Sequence, residues 1–238
     1  MSEIYILGIV FGWILCKKIF IKNSDISEKF DDYITYLIIG IILGGRIGYI
    51  IFYNFSYYLE NIFEIFKIWQ GGMSFHGGLI GVIIAILLFS KKEKVNFFRI
   101  SDIVCCVAPI GIFLGRIANF INSELYGVPT NKPWGIIFPK VDNLTRHPSQ
   151  LYEAFLEGIV LFILINFLFL KRNFSYGLIS FIFLLFYSIF RISAEQFREP
   201  DKHIGYIFNF LSLGSILSIA MIIFAFIFVS KINSNEKN

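Results

Sequence analysis

A chain of 238 residues with 56% hydrophobic and 16% charged residues, and a mean hydropathy of +0.71, lacks the polar surface to face water on all sides. Its net charge of +4 forms no basic stripe of the kind nucleic acid requires, so no nucleic-acid partner is expected. The charges sit in short clusters between apolar stretches of spanning length, which predicts an all-α integral membrane protein embedded in the lipid bilayer.

In chain order, apolar segments lie near 4–21, 33–53, 73–90, 101–121, 151–170, 177–197 and 207–230. Each approaches the roughly 20 residues that a helix needs to cross the hydrocarbon. They are too long and too uniformly apolar for barrel strands, and in lipid a helix satisfies its own backbone groups. The expected architecture is a bundle of about seven transmembrane helices. The first segment, Ile4 to Ile21, has no basic region before it and no small-residue cleavage site after it, so it reads as a retained span. No repeat or soluble domain interrupts the pattern, and residues 1–238 read as a single transmembrane domain. Cys16, Cys105 and Cys106 have no disulfide or metal spacing and read as small buried hydrophobes.

Orientation follows from lysine and arginine between the spans. Twelve of them follow the odd-numbered spans: Lys17, Lys18, Lys22, Lys29, Lys91, Lys92, Lys94, Arg99, Lys171, Arg172, Lys231 and Lys237. Six follow the even-numbered ones: Lys67, Lys132, Lys140, Arg146, Arg198 and Lys202. The richer set is expected in the cytoplasm, which places the C-terminus inside and the N-terminus outside. The connection from Asn122 to Pro148 then lies on the outer face. It holds Pro129, Pro133, Pro139 and Pro148, too many for regular helix, and loops of this length are commonly functional.

The remaining cations, Arg46, Arg116 and Arg191, lie within spans. An arginine at a helix centre costs about 2.5–3.5 kcal/mol on insertion scales. The ten Ile, Leu, Val and Phe residues between Ile103 and Ile121 offset that by roughly 3–6 kcal/mol, so Arg116 is tolerated with little margin. Asn119 shares the face of Arg116, and Asn122 and Glu124 follow as the span ends. Arg191 and Glu195 are four apart on one face, the spacing of an ion pair and of an arginine held ready for an anion. The alternative for Arg116 is snorkelling to the interface.

His76 stands in Gly71-Gly72-Met73-Ser74-Phe75-His76-Gly77-Gly78, where glycines allow close approach and the imidazole suits proton transfer near neutrality. His147 precedes Pro148 and Ser149, the latter a candidate N-cap for the fifth span; His203 has no comparable setting. Small residues four apart at Gly40/Gly44, Gly44/Gly48, Gly77/Gly81 and Gly111/Gly115 predict close helix packing. The polar groups of spans two, three, four and six thus gather toward the outer half of a tight bundle, which suits an anionic headgroup.

Five stretches together are specific. They are Gly44-Gly45-Arg46-Ile47-Gly48-Tyr49; Gly72 to Gly78; Gly115-Arg116-Ile117-Ala118-Asn119-Phe120-Ile121-Asn122-Ser123-Glu124; His147-Pro148-Ser149-Gln150-Leu151-Tyr152-Glu153; and Phe190-Arg191-Ile192-Ser193-Ala194-Glu195 through Asp201. In these, from about residue 5 to 230, the chain resembles the prolipoprotein diacylglyceryl transferases. The resemblance implies transfer of a diacylglyceryl group from phosphatidylglycerol to the lipobox cysteine thiol of a prolipoprotein. A thioether forms and glycerol phosphate leaves, the first step of bacterial lipoprotein maturation at the plasma (inner) membrane.

By the same resemblance Arg116 contacts phosphatidylglycerol, Arg191 is a second essential arginine and His76 assists thiol deprotonation. Asn119, Glu124 and Glu195 orient the headgroup and the arginines. No cofactor or metal is implied. Family members often carry Gly where Ala118 and Ser123 stand. They also carry a Trp-Tyr-Gly ahead of the stretch matching Ile4-Tyr5-Ile6-Leu7-Gly8, so an in-frame Trp-Tyr-Gly is expected upstream of Met1. The competing reading is a small transporter or channel for an anionic solute, which predicts broken helices meeting at the midplane and internal symmetry.

Overall fold

The computed structural model describes residues 2–21, 26–171, 175–200, 206–207 and 211–235. Helices occupy each of the seven apolar stretches. They are α1 (Ser2–Leu15, continued by a π-helical segment Cys16–Phe20), α2 (Phe30–Tyr53), α4 (Phe75–Glu93), α5 (Phe97–Asn122), α6 (Ser149–Glu153) running through a π-helical segment (Ala154–Val160) into α7 (Leu161–Lys171), α8 (Leu178–Glu195) and α9 (Leu213–Asn235). A short α3 (Phe55–Glu60) and two 3₁₀ turns (Ile62–Phe66 and Ile68–Gln70) follow α2. Among the described residues, four helices are long and apolar enough to cross a membrane: Phe30–Tyr53, Phe97–Asn122, Ser149–Lys171 and Leu178–Glu195. On α2, Ile39, Leu43, Ile47 and Ile51 leave one face apolar and exposed at four-residue spacing, a surface unsuited to water.

The seventh segment departs from expectation at its start. Residues 206–207 and 211–212 do not open the helix: β3 (Tyr206–Ile207) pairs antiparallel with β4 (Leu211–Ser212), and α9 starts at Leu213. The Ser212 hydroxyl accepts from the Ser215 amide and so caps α9.

The chain divides into two compact units, one of Cys16–Ser101 and one of Met1–Leu15 with Asp102–Asn238. In the first, α2 and α4 close on their glycines. A Cβ on Gly40 would stand 2.5 Å from the Gly81 carbonyl oxygen, and one on Gly48 would stand 2.6 Å from Gly77 Cα. Backbones approach so closely only where side chains are absent. Arg46 is buried in the same unit. Its guanidinium donates to the carbonyls of Glu64, Ile65, Lys67, Gly71 and Gly72 at 2.5, 2.9, 3.3, 2.6 and 3.2 Å, and lies over the Tyr58 ring. A buried cation is here surrounded by carbonyl dipoles, and the 62–72 segment is bound to α2 through one side chain.

In the second unit α5 contains Pro109, which withdraws the amide that the Cys105 carbonyl would accept. The adjacent Cys106 carbonyl accepts from Asn166 Nδ2 at 2.9 Å, tying α7 to α5 at this weak point. Asp102 accepts from the amides of Gly177 and Ser180 and from the Ser180 hydroxyl at 2.7, 2.8 and 2.6 Å, thereby capping the N-terminus of α8. Cys16 and Cys106 are buried, and all three cysteines are unbridged. At Gly111 it is α1 that comes close: a Cβ on Gly8 would stand 3.6 Å from Gly111 Cα, although a Cβ on Gly111 itself would meet nothing within 4 Å among the described residues.

The Asn122–Pro148 connection is ordered by pairing. Its β1 (Ile136–Ile137) pairs with β2 (Thr145–Arg146), while Gly127 bridges Arg198 and Pro129 bridges Arg146. A Cβ on Gly127 would stand 2.6 Å from the Phe197 carbonyl, so only glycine lets these backbones meet. The pairing ties the end of α5 to the end of α8.

Candidate active site

Three elements of the larger unit each contribute charge to one buried cluster. From α5, Arg116 Nη1 lies 2.8 Å from Glu153 Oε2, and its Nη2 lies 3.2 Å from Glu157 Oε2. From α8, Arg191 Nη1 lies 2.9 Å from Glu153 Oε1 and 3.6 Å from Glu157 Oε1. Arg191 Nη2 pairs with Glu195 Oε2 at 2.5 Å, and Arg198 reaches the same oxygen at 3.5 Å. Glu153 and Glu157 are fully buried, at 0% exposure. Three guanidinium groups thus face three carboxylates, and the cluster is neutral as a whole. Neutrality is what lets so many charges stand in a dry interior, because breaking one buried pair leaves an uncompensated charge.

The local sequence explains the geometry. Glu153 and Glu157 are four apart on the fifth span, and the π-helical segment Ala154–Val160 carries the second of them. Such segments are frequent at functional sites because they redirect side chains. The neighbouring Gly158 lets the helix approach α5: a Cβ there would stand 2.7 Å from Phe113 Cβ. On the far side a Cβ at Gly214, at the start of α9, would stand 2.8 Å from Glu195 Oε1.

The two arginines are not equivalent. Arg191 spends both terminal nitrogens on three carboxylates and its side chain is 8% exposed. Arg116 makes two contacts and its side chain is 15% exposed. Snorkelling does not describe Arg116, since its head is held by two fully buried glutamates.

Other expected site residues lie at the end of α5 and the start of α6. The Asn119 carbonyl accepts from the Glu124 amide at 2.8 Å, closing the last turn of α5, and the Asn119 side chain has no hydrogen bond among the described residues. Glu124 is exposed, and its carbonyl accepts from Gln150 Nε2 at 2.6 Å. Ser149 is not the N-cap that its position suggests: Pro148 precedes the helix without a side-chain cap, and the buried Ser149 hydroxyl donates to the Leu125 carbonyl at 3.0 Å. His147 Nδ1 meets the Tyr152 hydroxyl at 3.0 Å, which in turn accepts from Trp134 Nε1 at 2.9 Å.

His76 belongs to the other unit, in the first turn of α4, where Ser74 caps the helix by accepting from the Gly77 amide. The His76 side chain and His203 lie outside the described residues. Among the described residues no group of three His, Cys, Asp or Glu side chains could hold a metal ion.

The site residues that the sequence reading missed are Glu153, Glu157 and Gly214. The two glutamates carried a readable signal, because acidic groups inside an apolar span are as costly as arginines and need partners. The reading singled out only in-span arginines and the Glu195 partner. Nothing in the sequence marks Gly214, whose importance comes from a contact across two helices.

The family model for prolipoprotein diacylglyceryl transferase matches residues 2–231 of the chain. The chain belongs to the prolipoprotein diacylglyceryl transferase family. It is similar to the phosphatidylglycerol–prolipoprotein diacylglyceryl transferase of Rickettsia felis, with 53% identity over 92% of this chain and 86% of the relative. The proteins of the same name from Rickettsia bellii and Rickettsia typhi share 52% and 50% identity. Those matches cover 95% and 97% of this chain, and 88% and 90% of the relatives. Membership makes the chain a transferase with apolar membrane helices, and the comparisons give no support to the transporter reading.

Proposed function

We propose that this family member transfers the diacylglyceryl group of phosphatidylglycerol to the lipobox cysteine of prolipoproteins. The donor carbon–oxygen bond to phosphate breaks as the cysteine sulfur bonds that carbon, giving a thioether and glycerol phosphate. The thiol proton leaves to a base, and the phosphate gains one negative charge as diester becomes monoester. The observation that carries the assignment of roles is the sharing of Glu153 and Glu157 by Arg116 and Arg191. Two guanidinium groups are thereby fixed before substrate arrives, where charge will develop, and such preorganisation is commonly the largest part of catalysis.

Arg116, the more exposed of the two, binds the phosphate; a planar guanidinium can hold two of its oxygens at once. Arg191 supports it and adds positive potential. Glu195 orients Arg191, and Asn119 and Glu124 line the headgroup side at the end of α5. His76 assists removal of the thiol proton, whose free pKa is about 8.5. The protein works as a seven-span bundle of the bacterial inner membrane, with its C-terminus in the cytoplasm and the Asn122–Pro148 connection outside. The charge bias between loops supports that orientation.

The test is reconstitution of the purified chain with phosphatidylglycerol vesicles and a lipobox peptide. The expected result is a peptide heavier by one diacylglyceryl group and dependent on phosphatidylglycerol. An unmodified peptide with a well-folded, vesicle-inserted chain contradicts the reading.

A further inference from the structure

The face of the fifth span that carries Glu153 and Glu157 begins one turn earlier with Gln150, which takes no part in the ion cluster. Gln150 is fully buried, at 0% exposure. Its amide nitrogen donates to the Glu124 carbonyl at 2.6 Å. A carbonyl oxygen cannot donate, so the nitrogen must face it, and this fixes which end of the amide is which. The other end, Oε1, is buried and has no hydrogen-bond partner. A buried acceptor left unpaired costs about 1–3 kcal/mol, and native proteins rarely leave one without a function or a missing partner.

The amide is not free to turn elsewhere. Next to it the buried Ser149 hydroxyl grips the Leu125 carbonyl, and Ser123 and Leu125 are held in left-handed conformation at φ 62° and 54°. The turn that presents the Glu124 carbonyl to Gln150 is thus fixed from both sides.

We propose that Gln150 Oε1 accepts a hydrogen bond from a hydroxyl of the glycerol headgroup of the lipid donor, and so selects glycerol over headgroups that lack a hydroxyl. The inference rests on the reading of phosphatidylglycerol as donor. The missing partner must be a hydrogen-bond donor. Phosphate diester oxygens only accept and acyl chains do neither, whereas the glycerol headgroup carries hydroxyls. Gln150 lies three residues before Glu153, which holds both arginines, a rise of about 4.5 Å along one helix face. That offset matches the reach from a phosphate to the far end of the three-carbon group attached to it. A site that pairs a substrate hydroxyl also rejects the analogue lacking it, because its own acceptor is then left buried and unpaired.

The experiment compares two vesicle lipids with the reconstituted full chain: phosphatidylglycerol, and phosphatidylpropanol, which has the same phosphodiester charge and a three-carbon headgroup without hydroxyls. Transfer to a lipobox peptide is followed by mass. Wild type is expected to prefer phosphatidylglycerol by about 10-fold or more. Gln150→Met is expected to lose that preference by slowing transfer from phosphatidylglycerol about 10-fold while leaving phosphatidylpropanol unchanged. Gln150→Asn, one methylene shorter, gives the same ratio test if the first variant accumulates poorly.

Equal use of the two lipids by wild type overturns the subsite, whatever the variants do. So does a variant that slows both lipids by the same factor, the signature of a structural or water-filled position. Wild-type transfer from neither lipid overturns the donor reading itself, and this subsite with it.

Discussion

Arg116 and Arg191 hold opposite oxygens of one carboxylate: Arg116 lies 2.8 Å from Glu153 Oε2 and Arg191 lies 2.9 Å from Glu153 Oε1. The second glutamate repeats the arrangement at 3.2 and 3.6 Å. Two helices distant in sequence are therefore set against each other by a third, and the spacing of the guanidinium groups is fixed by carboxylates rather than by substrate.

Glu157→Gln keeps the shape of the side chain and removes half of that arrangement. Breaking one partner of a buried pair costs about 3–5 kcal/mol, so the variant is expected to lose thermal stability in detergent. Displacement of the arginines by even an ångström is expected to slow transfer about 10²-fold. Stability and peptide-transfer assays on the same preparation check both. Wild-type rates with unchanged stability would show that Glu157 does not position the arginines.

Gly214→Ala introduces a Cβ 2.8 Å from Glu195 Oε1, and that carboxylate cannot simply swing away because Arg191 and Arg198 hold it. The variant is expected to accumulate in the membrane normally and to transfer diacylglyceryl groups about 10²-fold more slowly. Normal activity would mean that Glu195 is free to move without consequence.

Arg46→Lys separates an anchor from an anion-binding arginine. The guanidinium reaches five carbonyls, whereas an ammonium has three donors and no planar fork. The sequence alone, with Arg46 well inside its span, suggests a mild effect. The carbonyl contacts instead predict that the 62–72 segment loosens, which limited proteolysis between Asn61 and Gly72 would register. A cleavage pattern identical to wild type would show that the segment does not depend on Arg46.

Orientation is tested by placing single cysteines in the Asn122–Pro148 connection, for example Asn143→Cys, in a chain whose native cysteines are replaced. An impermeant maleimide is expected to label it in intact spheroplasts. Labelling only after lysis would reverse the assigned topology.

Much of the fold was legible because lipid leaves the backbone few options: apolar runs of spanning length become helices, and Gly40, Gly44, Gly48, Gly77 and Gly81 foretold the α2–α4 contact. The Arg191–Glu195 pair was legible from its spacing alone. The β3–β4 pairing was not, because an apolar stretch of that length reads equally as helix or strand. Ser123 stands where family members often carry glycine. Its φ of 62° supplies the physical reason for that glycine, since a side chain is strained there. The role of Arg46 as a loop anchor lay beyond the sequence, because it depends on where five carbonyls end up.

The most direct test of the account compares Arg116→Lys with wild type in the reconstituted transfer assay at matched membrane levels. Lysine keeps the charge and can satisfy one glutamate, but it cannot hold Glu153, Glu157 and two phosphate oxygens at once. Loss of one such donor from a dry transition-state site costs about 2.7–4 kcal/mol, or roughly 10²–10³ in rate. The predicted result is a folded, inserted protein whose peptide product appears 10²–10³-fold more slowly. Transfer at the wild-type rate would contradict the claim that Arg116 clamps the phosphate of the lipid donor.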